Sequence, residues 1–304
     1  MKWVLFLLSF YFLIPALASC KVIKESIPLT IIKNYLFVPV RINNSQPLYF
    51  LLDSGAGGTV MDDSTAKAIG LQPENETFNT GANGSTRTWS CNDNLMRLGS
   101  SVTIKKITIS ALPLSSMSAV FGIPVAGITG YDIFSRYISE TNIDSQQLYL
   151  WEQQAFPKKE GESIDFTISD NHLIYFTGEY IFRNQKKLKL KTVIDSGSGR
   201  FLSLYSDAVQ KYGLLQEDRT YNTVQERGTE NIMMTSYIDT LPGFRMGGLT
   251  HNDVRLVLAA NAPNTVSTTS HPIEALIGQG LLIQYNITYD YFRKKMYLQK
   301  RKRM

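Results

Sequence analysis

The 304-residue sequence has little of what most covalent and metal-dependent chemistry needs. It holds two cysteines, Cys20 and Cys91, whose spacing gives no disulfide framework. Its three histidines, His172, His251 and His271, all fall in the second half, and none stands at metal-ligand spacing. A zinc enzyme is therefore not expected, and no metal or cofactor is called for. No Gly-x-Ser-x-Gly elbow and no phosphate-binding glycine loop occur. The net charge of +5 is small and partly concentrated in the final "KRKRM", too little and too local to make nucleic acid the main partner. The histidines read as polar surface or turn residues, and Cys91 as a small, semi-apolar side chain.

What the sequence does have begins with "MKWVLFLLSFYFLIPALASC", one lysine followed by an apolar stretch that ends in small residues. This pattern predicts an export signal over residues 1–19, to be left out of fold reasoning. Leu17-Ala18-Ser19-Cys20 resembles the lipobox of bacterial lipoproteins, which implies cleavage before Cys20, lipidation of that residue and attachment to a membrane of the cell envelope. A plain secretory signal cleaved nearby, with Cys20 incidental, is the alternative. Lys21 follows Cys20, in place of the Asp that in many Gram-negative lipoproteins favours the inner membrane. With Cys20 lipidated no intramolecular disulfide can form. The basic tail Lys300-Arg301-Lys302-Arg303 reads by default as a solvated segment, and with the chain tethered at Cys20 it would add weak attraction to anionic head groups.

The remainder repeats itself once. "FLLDSGAGGTVMDDSTAKAIGL" aligns with "TVIDSGSGRFLSLYSDAVQKYGL", and "ITGYDIFSRYISETNIDSQQLYL" aligns with "LIGQGLLIQYNITYDYFRKKMYL". The interval from Asp53 to Gly130 nearly equals that from Asp195 to Gly278. Two matched blocks in the same order are much harder to obtain by chance than one short motif. Between the halves, residues 152–171 are polar with Pro157 and Gly161, and read as a linker. Alternating runs such as Leu36 to Ile42 and Val102 to Ile109 predict strands, and helical stretches are few and short. The expected fold class is all-β, with residues 20–151 and 172–304 forming two similar lobes about a pseudo-twofold axis.

The repeated unit resembles the retropepsin-like lobe of aspartic proteases, and its duplication resembles the bilobal pepsin-like enzymes. The residues that carry the resemblance are Asp53-Ser54-Gly55-Ala56 and Asp195-Ser196-Gly197-Ser198, with Ile128-Thr129-Gly130 and Leu276-Ile277-Gly278 downstream. Thr129 stands where the family pattern usually has an aliphatic residue. The resemblance implies β-barrel lobes, catalytic aspartates at 53 and 195, and hydrolysis of peptide bonds by a water activated between them. Two carboxyls close enough to share a proton cannot both ionise cheaply, so the pair holds one acid and one base. Ser54 and Ser196 would bond to the opposite loop, and Gly55 and Gly197 would allow the loops to approach.

The residue after each Gly differs between the halves. Ser198 is expected to donate to Asp195, and Ala56 cannot do the same for Asp53, which predicts the charge on Asp195 and the proton on Asp53. The best candidate for a substrate-covering hairpin is "NTGANGSTRTW", residues 79–89, with Asn83-Gly84 as its turn and Trp89 as an aromatic wall, and an ordinary surface turn is the equal alternative; its counterpart surrounds Gly228. No flap tyrosine is assigned. The function so implied is a monomeric, exported, lipid-anchored aspartic endopeptidase acting on protein or peptide substrates. Its rival is a catalytically silent peptide-binding envelope lipoprotein on the same fold. A structural lipoprotein whose Asp-Ser-Gly turns are mere turns fits the doubled context less well.

Overall fold

The computed structural model describes residues 25–81, 84–157, 162–216, 219–227, 233–259 and 272–302. The expected signal segment, Cys20, the turn residues 82–83, Gly228, His271 and Arg303 lie outside the described residues.

Alternation of apolar and polar residues makes the strands, and turns of Gly, Asn and Asp end them. Strand Val102–Leu112 illustrates how the pattern survives an irregularity. Asn94 pairs with Ile107 and Met96 with Ile104, so Lys105 and Lys106 together stand opposite Leu95. Lys106 takes φ 57°, and this bulge restores the alternation that a double lysine would have broken. Ile104, Ile107 and Ile109 consequently all reach the core.

Three sheets result. The first has eight strands, ordered Thr30–Ile32, Tyr35–Ile42, Leu48–Leu52, Gly127–Thr129, Thr59–Asp62, Val102–Leu112, Gly84–Leu98 and Asn75–Gly81. The second also has eight, ordered Thr167–Ile168, Ile174–Ile181, Lys187–Asp195, Ala275–Gly278, Leu202–Leu204, Leu249–Ala259, Met233–Met246 and Asn222–Arg227. Strand for strand, the two follow the same order. In both, the second strand of this order closes back on the seventh, through pairing of Tyr35–Ile42 with Gly84–Leu98 and of Ile174–Ile181 with Met233–Met246. The segment expected as a linker contains two strands, Ser163–Asp165 and Thr167–Ile168, of which the second opens the second eight-stranded sheet.

The third sheet joins the halves. Its six strands are Glu25–Pro28, Gln147–Trp151, Ile138–Asn142, Tyr285–Asp290, Lys295–Lys300 and Ser163–Asp165, three from each half in mirrored order. At its centre Glu140 faces Thr288. Residues of this sheet and of both eight-stranded sheets share one buried apolar cluster, so the halves are held by a common core.

Candidate active site

Each candidate aspartate stands at a strand end because the residues before it are buried and those after it cannot continue the strand. Phe50, Leu51 and Leu52 are at most 1% exposed, and their strand runs parallel to Gly127–Thr129. Asp53 then donates its N–H to Thr129 O at 2.9 Å, and the Ala56 N–H turns back onto Asp53 O at 3.2 Å. The second half repeats the turn, with Ser198 N–H on Asp195 O at 3.2 Å. Gly130 and Gly278 lie directly beneath these turns. A Cβ on Gly130 would stand 1.8 Å from Asp53 O, and one on Gly278 would stand 2.7 Å from Ser198 O. The apolar-apolar-Gly strands therefore need glycine for contact, not for dihedral freedom.

The loops meet through their serines. Ser54 N–H donates to Ser196 Oγ at 2.9 Å, and Ser196 N–H donates to Ser54 Oγ at 3.0 Å. Each hydroxyl then donates onward, Ser54 to Ile194 O at 2.9 Å and Ser196 to Leu52 O at 3.1 Å. All four bonds cross between the halves, and both serines are buried at 3% exposure or less. The reciprocal pattern leaves neither hydroxyl unmatched, which burial demands.

This grip brings the carboxyls together. Asp53 and Asp195 come within hydrogen-bond reach of each other, and both keep partial exposure. Glycine makes the approach possible. A Cβ on Gly197 would lie 2.2 Å from Asp53 Oδ2, and one on Gly55 would lie 2.8 Å from Asp195 Cγ.

The electrostatics of the pair are unequal. Burial raises both carboxyls above the usual range. Asp195 rises well above it because the Asp53 charge also lies alongside. Asp53 is held back by the N–H groups of Gly55, at 2.7 Å, and Gly197, at 2.9 Å, both on its Oδ1, and by Asp195 itself. Asp195 is thus raised further than Asp53, the opposite order to the one expected from Ser198 and Ala56. The reason is local: amides of both loops converge on Asp53 Oδ1, while the amides of Gly197 and Ser198 hold Asp195 back less than burial and the Asp53 charge raise it.

Several neighbours were not legible as site residues. Tyr289, from the central strand of the joining sheet, is buried below the grip within hydrogen-bond reach of Ser54, and burial pushes its phenol up. Thr129, the departure from the family pattern, is fully buried with Oγ1 3.1 Å from Thr59 Oγ1, and Thr59 Oγ1 donates to Asp132 Oδ2 at 2.7 Å. A polar side chain is thus matched there by a polar partner. Tyr131 and His172 flank the Asp53 loop and are taken up below.

The segment considered for a covering hairpin forms strands Asn75–Gly81 and Gly84–Leu98, paired up to Gly81 and Gly84. Trp89 has a different role from the one expected. Its Nε1 donates to Asp63 Oδ1 at 2.7 Å, tying the hairpin to the helix Asp63–Ala68. The side-chain hydroxyl of Thr88 is bonded to Ala111 O in the neighbouring strand. The counterpart strands Asn222–Arg227 and Met233–Met246 pair likewise in the second half. His251 is half-buried, with Nε2 3.2 Å from the Tyr285 hydroxyl, and burial, with Lys300 adding to it, lowers its pKa. Cys91 is buried, and burial pushes its thiol up. Among the described residues no cluster of His, Cys, Asp and Glu is arranged to hold a metal ion, and no helix is long and apolar enough to cross a membrane.

Two aspartates, each in a turn braced by the other half, thus meet where the halves join. A family model described as aspartyl protease matches residues 38–133, a span that includes Asp53 and Gly130, so this part of the chain is an aspartyl protease-like domain. No curated protein matches the chain.

Proposed function

We propose that the protein is a single-chain aspartic endopeptidase whose catalytic residues are Asp53 and Asp195. The observation that carries this reading is the carboxyl pair, held between two Asp-Ser-Gly loops by four reciprocal serine bonds. A peptide-binding protein has no need to hold two buried acids in contact, because their repulsion is costly unless they share a proton.

In the proposed reaction a water lies between the carboxyls and an extended peptide crosses above them. Asp53, the carboxylate, takes a proton from the water as its oxygen attacks the peptide carbonyl. Asp195 gives its proton to the carbonyl oxygen, which yields a gem-diol. Collapse of the diol breaks the C–N bond. The leaving nitrogen takes the proton from Asp53, one diol hydroxyl returns a proton to Asp195, and the starting state is restored.

On this reading the eight-stranded sheets are two pepsin-like lobes about a pseudo-twofold axis, matched by their identical strand orders and by the mirrored six-stranded sheet. The first lobe is proposed within residues 20–151 and the second within 172–304, to which strand Thr167–Ile168 of the expected linker adds. One chain supplies both aspartates, which makes a monomer sufficient. Export and anchoring through lipidated Cys20 rest on the sequence pattern of the first twenty residues. Cleavage of unstructured protein substrates by the wild type, abolished separately by Asp53→Asn and Asp195→Asn, tests the activity. Cleavage that persists in either variant overturns it, and tight peptide binding without cleavage by the wild type returns the binding-protein reading. Labelling with radioactive palmitate, lost in Cys20→Ser, tests the anchor.

A further inference from the structure

Four residues after each aspartate stands a glycine, Gly57 and Gly199, and each meets a hairpin of the opposite half. A Cβ on Gly199 would stand 2.3 Å from the Tyr35 hydroxyl, and one on Gly57 would stand 2.4 Å from Asn171 O. The second contact belongs to the turn between strands Thr167–Ile168 and Ile174–Ile181. His172 in that turn sends its ring back onto the Asp53 loop, with Nδ1 3.0 Å from Gly57 O. The ring also lies flat on Tyr131, centroids 3.9 Å apart and planes 3° from parallel. Tyr131 is itself part of the loop's support, because its N–H donates to Ala56 O at 3.0 Å. Tyr131 also meets Tyr291 edge-on at 6.1 Å. The first half's Tyr131 is therefore in contact with two rings of the second half.

We infer that His172 is a positioning residue for Asp53, fixing the catalytic loop of the first half from the second half's hairpin. The inference rests on the endopeptidase reading for its catalytic consequence but not for its geometry. A carbonyl only accepts, so Nδ1 carries the proton, and Nε2 of the exposed ring is left to solvent in the neutral form. The turn is built to present this ring. His172 takes φ 67°, its N–H closes on Ser169 O at 2.9 Å, and the Ser169 hydroxyl accepts the Leu173 N–H at 3.0 Å. Two successive carbonyls of the Asp53 loop, at Ala56 and Gly57, are thus tied by Tyr131 and His172. Their amides lie within four residues of the carboxylate, so a shift there is a shift of the catalytic oxygen, to which rates are steeply sensitive.

His172→Gly and His172→Asn separate the donor from the backbone, since Gly and Asn both accept positive φ and only Asn offers an N–H near the Nδ1 position. Three measurements on the full chain decide the matter. A long-range proton–nitrogen spectrum of the wild type is expected to show His172 as the Nδ1–H form; the Nε2–H form would overturn the inference. Amide exchange over residues 53–58 is expected to quicken in His172→Gly and return toward wild type in His172→Asn, with melting temperatures alike; equal exchange in both variants would overturn it. For cleavage, kcat is expected to fall about tenfold in His172→Gly with KM changed less than about twofold, and to recover in His172→Asn. Wild-type kcat in His172→Gly overturns positioning alone, whereas cleavage surviving Asp53→Asn overturns the endopeptidase reading.

Discussion

Ser54→Ala tests the grip that the site depends on. The substitution removes one hydroxyl and two of the four bonds between the loops. Ser196 N–H loses its partner in a place where Ser196 is only 3% exposed, so water cannot replace the bond without opening the junction. An orphaned buried donor costs about 1–3 kcal/mol, and the lost bond to Ile194 O adds roughly 1 kcal/mol. The expected loss is about 2–4 kcal/mol, a large share of the ~5–15 kcal/mol by which domains are usually stable. For a chain of this size that is a fall in melting temperature of roughly 3–7 °C. Because the hydroxyls of Ser54 and Ser196 bond to backbone, the two losses should nearly add, less whatever the first loosening has already released. Calorimetry of wild type, both single variants and the double variant measures all three terms. Ser54→Ala melting within about 1 °C of wild type would refute the reasoning, because it would mean that the buried N–H finds another partner at no cost.

The aspartates should cost stability as they ionise. Asp195 is raised in the folded state, so the folded protein binds its proton more tightly than the unfolded chain does. Stability from this proton is fully present below the ordinary carboxylate value near ~3.9 and is lost as pH rises through the raised value. Asp195→Asn should therefore melt higher than wild type at neutral pH, with the gap closing toward acid; a gap that is constant with pH would exclude it. Gly197→Ala places a methyl 2.2 Å from Asp53 Oδ2, whereas Gly58→Ala meets nothing within 4 Å. Activity should collapse in the first, at least about 100-fold, while the second keeps a near wild-type melting temperature; similar behaviour of the two would count against the close approach. The Cys91 thiol, buried and pushed up, should resist a thiol reagent in the native protein and react on unfolding, which a timed absorbance assay would show.

Much of the site was present in the order of residues alone. A duplicated Asp-Ser-Gly, a later glycine and two runs of alternating strands specify which backbone must approach which. The serine hydroxyls, the crowded glycines 55, 130, 197 and 278 and the all-β architecture followed from that pattern, because each answers a local demand of burial or contact. Which acid is raised further did not follow, since it hangs on which loop amides converge on which carboxyl. The hydroxyl of Ser198 and the methyl of Ala56 are local to their own loops, whereas Gly197 N–H points at Asp53 across the junction. Trp89 misled for a similar reason: its ring finds Asp63 far along the chain.

Sequence by itself thus determined that two equivalent halves exist, that each ends a buried strand in an acid, and that both acids carry the small residues close contact requires. Only the tertiary structure decided which acid is raised further and what braces it, placing Tyr131, His172 and Tyr289 around the loops. Strand periodicity and close-contact glycines are properties of short stretches and survive as pattern in one dimension. A hydrogen bond from one half to the other depends on distances that no local pattern encodes, and those distances set the field at each carboxyl.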